Sequence, residues 1–194
     1  AIAAISGAVW ALGWSPARAV ARLVPDKTWN AAGRQLSSGF EKDYPGCTDA
    51  AGKAALDKLV KRLVDASPDK RPIHLHMANW GLVNAFAMPG GFIGVHTGLI
   101  TAAQSESELA SVIAHEISHV TQDHIARMVA AQSQSYWPTM AALALAILAS
   151  RSNANVASAA IASTQALSIQ NQLNYSRDYE READRLGYDM LTRA

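Results

Sequence analysis

From Thr48 to Ala66 the apolar residues Leu56, Leu59, Val60, Leu63 and Val64 recur at intervals of three and four, with Lys and Asp between them. That period places them on one stripe of an amphipathic helix facing a core. Ser67-Pro68-Asp69 stops it. Upstream, Pro16 to Leu23 reads as a short helix interrupted by Pro25. Asp26 is placed to cap a second helix through about Leu36, which Ser37-Ser38-Gly39 ends. The pattern then changes. Ile73 to Met77 alternates, Leu82 to Met88 is apolar, and Phe92 to Thr97 is apolar and β-branched, giving three strand-like runs. Pro89-Gly90-Gly91 is a tight connection, so the last two runs are expected to pair as an antiparallel hairpin.

Helical spacing returns after Ser105, which with Glu108 forms a capping box for a helix expected to reach Thr121 or beyond. Pro138 to Ala149 and Asn153 to Ile169 are two further Ala-rich helical runs. They read either as a hairpin over the site or at a membrane surface, or as plain core helices. Ser176 caps a last helix from about Arg177 to Leu191.

Composition bounds the answer. The 194 residues suit one domain with a real core, or a catalytic domain with short appendages. The chain is 49% hydrophobic and 17% charged with a net charge of +1. No basic block suggests nucleic acid, and no acidic tail suggests a disordered arm. Cys47 is the only cysteine, so neither an intrachain disulfide nor a cysteine-based zinc site is possible. It is expected as a buried or partly buried thiol. Ala1 to Trp14 is apolar and uncharged but shorter than the about 20 residues that span a bilayer. It reads as membrane-proximal, the tail of a longer anchor or signal segment, with a buried N-terminal helix as the alternative. The chain reads as an excised piece, with residues 1–47 an apolar and helical N-terminal segment and 48–194 the working domain.

The chemistry sits in His115-Glu116-Ile117-Ser118-His119, an HExxH string on the capped helix. Residues four apart share a helical face, so both imidazoles can reach one Zn²⁺ with Glu116 beside them as general base. A catalytic zinc takes three protein ligands and keeps a position for water, so a third must come from another helix. Glu180 and Asp184 lie four apart near the chain's end. Spacing leaves two readings: a ligand with a partner for a ligating histidine, or a salt-bridged surface with Arg177, Arg181 and Arg185. Glu182, two residues from either, is expected on another face. His74, His76, His96 and His124 read as polar positions without a carboxylate cluster, rather than ligands.

Three segments in order carry a resemblance over about Ile73 to Met190. They are Asn84-Ala85-Phe86-Ala87-Met88-Pro89-Gly90-Gly91, then Glu108-Leu109-Ala110 with His115 to Val120, then Ser176-Arg177 leading to Glu180 and Glu182-Ala183-Asp184. The chain resembles the zinc metallopeptidases that include the CAAX prenyl endopeptidases, the HtpX heat-shock proteases and the periplasmic chaperone-proteases. The resemblance implies an α+β, mainly helical zincin-like domain with a small antiparallel sheet and an HExxH active-site helix. It implies one Zn²⁺ per chain on His115, His119 and Glu180, with Glu116 as base and Asp184 behind a ligand. A peptide would add to the free edge of the strand at Asn84, Ala85 and Phe86. An oxyanion-stabilising His or Tyr is expected, but Tyr136, Tyr175, Tyr179 and His124 are not ranked by sequence. The implied function is a zinc endopeptidase of the bacterial envelope, periplasmic or membrane-associated. Its substrates would be peptides or unfolded proteins met in envelope quality control. The alternative is a chaperone-like module using the same groove with little turnover.

Overall fold

The computed structural model describes residues 25–132 and 176–194. The N-terminal apolar run, the Pro16–Leu23 helix and the two Ala-rich runs between Pro138 and Ile169 lie outside the described residues. The chain divides into two compact units, residues 1–23 with 126–179 and residues 24–125 with 180–194. In the first, residues 126–132 and 176–179 are helical, and the Arg127 guanidinium stands 4.6 Å over the ring of Tyr179. The site belongs to the second.

That unit is α+β. Helix α1 spans Asp26–Asp43 and α2 spans Ala50–Ala66. Strands β1 (His74–Ala78), β2 (Ala85–Met88) and β3 (Phe92–His96) follow, then a short α3 (Thr97–Ala102) and the HExxH helix α4 (Glu106–Thr121). Residues 124–132 and 176–193 are also helical. Among the described residues no helix is long and apolar enough to cross a membrane.

Several expectations need correcting. Helix α1 does not end at Ser37-Ser38-Gly39 but continues to Asp43. The two serines are absorbed locally: Ser37 Oγ donates to Glu41 at 2.9 Å and Ser38 Oγ donates to the Gln35 carbonyl at 2.9 Å. Pro25, not Asp26, occupies the cap position. Leu82 and Val83 are exposed and precede β2 rather than belonging to it. The small sheet is mixed, not antiparallel. Its order is β1-β3-β2, with β3 parallel to β1 and antiparallel to β2. The hairpin through Pro89-Gly90-Gly91 forms as expected, Gly90 and Gly91 taking φ of 74° and 85° that only glycine adopts freely. Strand β3 takes the centre because it is the strand that water leaves almost entirely, with Ile93 and Val95 fully buried.

The core joins one face each of α2, the sheet, α3 and α4. Leu56, Leu59, Val60 and Leu63 from α2 meet Ile93 and Val95 from the sheet and Ala110, Ile113, Ala114 and Ile117 from α4. The α4 residues recur at three and four, so His115, Glu116 and His119 are left on the half-buried side of the same helix. Packing, rather than helix propensity, thus aims the motif.

Candidate metal centre

Helix α4 is fixed at both ends. At its start Ser105 Oγ accepts from the Glu108 N–H at 3.2 Å, and the Glu108 carboxylate reaches back to the Gln104 N–H at 2.9 Å. At its end the Arg71 guanidinium donates to the Val120 carbonyl at 3.0 Å, the Thr121 carbonyl at 3.3 Å and the Asp123 carboxylate at 2.6 Å. A cation on the last carbonyls satisfies groups the helix leaves open. The second helix approaches closely because of Gly187. A Cβ there would come within 3.0 Å of the His115 nitrogen and 3.2 Å of the Ala114 carbonyl carbon. This contact brings Glu180 and Asp184 over the motif.

His115 Nε2 lies 2.9 Å from His119 Nε2 and 3.2 Å from Glu180 Oε2, and His119 Nε2 lies 3.5 Å from Glu180 Oε1. These residues form a candidate metal-holding cluster among the described residues. A tetrahedral ion with ligands at about 2.0–2.1 Å would hold its donors about 3.3 Å apart, so the cluster has the right size. His115 Nδ1 is 2.9 Å from Asp184 Oδ1. A carboxylate accepts, so Nδ1 carries the proton and Nε2 turns its lone pair inward. Neutral lone pairs and a carboxylate converging on one point suit a cation. Burial pushes the pKa of His119 down, partly offset by Glu180, which favours the neutral ring.

Glu116 lies beside this cluster. Burial, chiefly, raises its pKa to about 7, against the opposing pull of His115 and of the Ala87 N–H and with a further push from Glu180. The Ala87 contact identifies the strand edge that faces the site. The His96 N–H donates to the Asn84 carbonyl at 3.1 Å. In that register Asn84, Phe86 and Met88 direct their backbone groups at β3, whereas Ala85 and Ala87 direct theirs outward. Within the anticipated stretch, only Ala85 therefore offers backbone groups to the outside, joined by Ala87. The Phe86 ring packs edge-on against Phe40 of α1 at 5.0 Å, and Asn84 is exposed.

Other residues fall differently from expectation. His76 is half-buried with Nε2 2.9 Å from the Tyr44 carbonyl oxygen. His96 is not on a polar face: it is buried among Phe40, Trp80 and Phe86, and desolvation lowers its pKa. Cys47 is a half-buried free thiol, as expected. His124 is also no polar sheet position. It is buried, with Nδ1 2.9 Å from His119 Nδ1 and Nε2 3.1 Å from a Glu182 carboxylate oxygen. Glu182 does lie off the Glu180 face, yet it is tied to the cluster through His124. Tyr136 and Tyr175 lie outside the described residues.

Residues 50–194 match the model of peptidase family M48. The chain belongs to that family. It is 45% identical over 156 residues to a putative beta-barrel assembly-enhancing protease of Vibrio cholerae, covering 80% of this chain and 32% of that protein. It is 38% identical over 140 residues to the beta-barrel assembly-enhancing protease of Escherichia coli, covering 72% of this chain and 29% of that protein. A mitochondrial metalloendopeptidase OMA1 of Arabidopsis thaliana is 32% identical over 118 residues, 61% of this chain and 22% of that protein. The chain thus spans about a third of the length of the curated relatives first named.

Proposed function

We propose that this M48 chain is the catalytic part of a zinc endopeptidase that cleaves unfolded or misassembled proteins in the bacterial envelope, in the periplasm or at a membrane surface. The carrying observation is the convergence of His115 Nε2, His119 Nε2 and the Glu180 carboxylate beside Glu116. The envelope setting rests on the likeness to proteases named for beta-barrel assembly. The working domain would be residues 48–194, with the N-terminal segment 1–47 ahead of it and α1 of that segment packed on the hairpin.

His115, His119 and Glu180 would hold one Zn²⁺. The chemistry such an ion supplies is Lewis acidity, which acidifies a water and polarises a scissile carbonyl. The Glu116 carboxylate would take a proton from the attacking water and hand it to the leaving amine. Asp184 keeps the His115 ring turned with its lone pair inward. The outward N–H and C=O groups of Ala85 and the C=O of Ala87 pair with an extended substrate, while the Ala87 N–H is held by Glu116. Main-chain pairing ignores side-chain identity, and so suits unfolded clients of varied sequence.

The test uses the purified chain loaded with zinc and casein as substrate. Hydrolysis is expected to stop with chelator and return with zinc. Glu116→Gln should keep the metal yet lose at least about 10²-fold in rate, the usual scale of a general base. Binding of unfolded protein with no chelator-sensitive cleavage would favour a chaperone-like module instead.

A further inference from the structure

The two histidines of the motif are not supported alike. His115 is backed directly by a carboxylate, Asp184. His119 is backed by a second histidine, and a carboxylate stands only behind that one. His119 Nδ1 and His124 Nδ1 are 2.9 Å apart, their ring centroids 4.8 Å apart at an interplanar angle of 79°. His124 Nε2 is 3.1 Å from Glu182 Oε2.

One proton fits between two ring nitrogens at that distance, and its owner is decided at the far end. An ionised carboxylate only accepts, so Glu182 requires the proton of neutral His124 to sit on Nε2. His124 Nδ1 is then bare and accepts from His119 Nδ1–H. His119 Nε2 is left bare in turn, with its lone pair aimed at His115 and Glu180. The carboxylate therefore sets both tautomers in series. His124 is 3% exposed, so water cannot readily replace it as the acceptor.

The backbone is shaped to make this contact. Residues five apart on an unbroken α-helix point about 140° away from each other. Here α4 stops at Thr121, and Asp123 takes a φ of 55°, a left-handed conformation tolerated by aspartate more than by most residues. Arg71 holds the turn through Asp123 and the last carbonyls of α4. The chain re-enters a helix at His124, folded back behind His119.

We propose that His124 and Glu182 are positioning residues for His119, a Glu182–His124–His119 series that orients this metal ligand as Asp184 orients His115. The inference rests on the metal-site reading above.

The experiment measures zinc affinity of the full chain by competition with a chromogenic chelator. Ring tautomers in the zinc-loaded protein are read by long-range ¹H–¹⁵N correlation. Glu182→Ala and His124→Ala should weaken zinc binding about 10–100-fold, the usual effect of losing a ligand's hydrogen-bond partner. Glu182→Gln keeps an acceptor oxygen, and His124→Asn puts one close to the Nδ1 position. Both should recover most of the loss, which restored packing alone would not explain for the smaller Asn. Wild-type His124 should be neutral with its proton on Nε2. A proton on His124 Nδ1, an imidazolium at His124, wild-type affinity in Glu182→Ala, or equal losses in Glu182→Ala and Glu182→Gln would each overturn the series while leaving the metal site standing. Full zinc retention in His115→Ala would instead sink the metal site, and the series with it.

Discussion

His115 and His119 stand four residues apart on one helix and turn the same nitrogen inward, but their outer nitrogens meet opposite surroundings. Behind His115 is Asp184, whose side chain is 73% exposed. Behind His119 is His124, 3% exposed, with Glu182 beyond it. A carboxylate at the surface competes with water for its hydrogen bond, so removing it leaves the ring with a substitute partner. A buried acceptor has no substitute, and its loss strands a donor away from water. One ring is thus held by a replaceable contact and the other by a fixed one, although sequence spacing makes them look equivalent.

The largest effects should erase the difference. His115→Ala and His119→Ala are each expected to abolish stoichiometric zinc by metal analysis after dialysis. Retention in either variant would remove that residue from the ligand set. Asp184→Ala should lower zinc affinity about 10–100-fold and recover activity as zinc is added, because the ligands and Glu116 remain. Its loss should be smaller than that of His124→Ala, and the reverse order would contradict the contrast in burial. Gly187→Ala tests the His115 side through packing. Its new methyl meets the α4 backbone, and overpacking of this kind costs about 1–3 kcal/mol. An unchanged Tm would mean that the two helices separate freely. Ser105→Ala is the smallest. It removes the α4 cap far from both rings and should cost about 1 kcal/mol in thermal unfolding, with zinc affinity unaltered.

The comparison also marks where sequence reading stops. Glu182 is two residues from Glu180, so helical spacing puts it on a different face, and that much holds. Spacing does not say that the other face meets His124. No periodicity links positions 119 and 124 either, because the contact depends on a left-handed Asp123 and on Arg71 arriving from residues far away in sequence. The sheet shows the same limit. A tight turn makes the β2–β3 hairpin visible, whereas the insertion of β3 beside β1 is a choice of burial made between distant strands.

Local signals were enough for the α2 and α4 helices, the α4 cap, the Pro89-Gly90-Gly91 turn and the pairing of His115 with His119 on one face, since each rests on neighbours within a turn or two of chain. Tertiary structure alone decided that α1 runs through its serines and that the sheet is mixed. It also decided that Ala85 and Ala87 face the site and that Glu180 turns toward the histidines. These outcomes depend on which surfaces lose water together and which lone pairs find a donor, and such partners are remote in the chain.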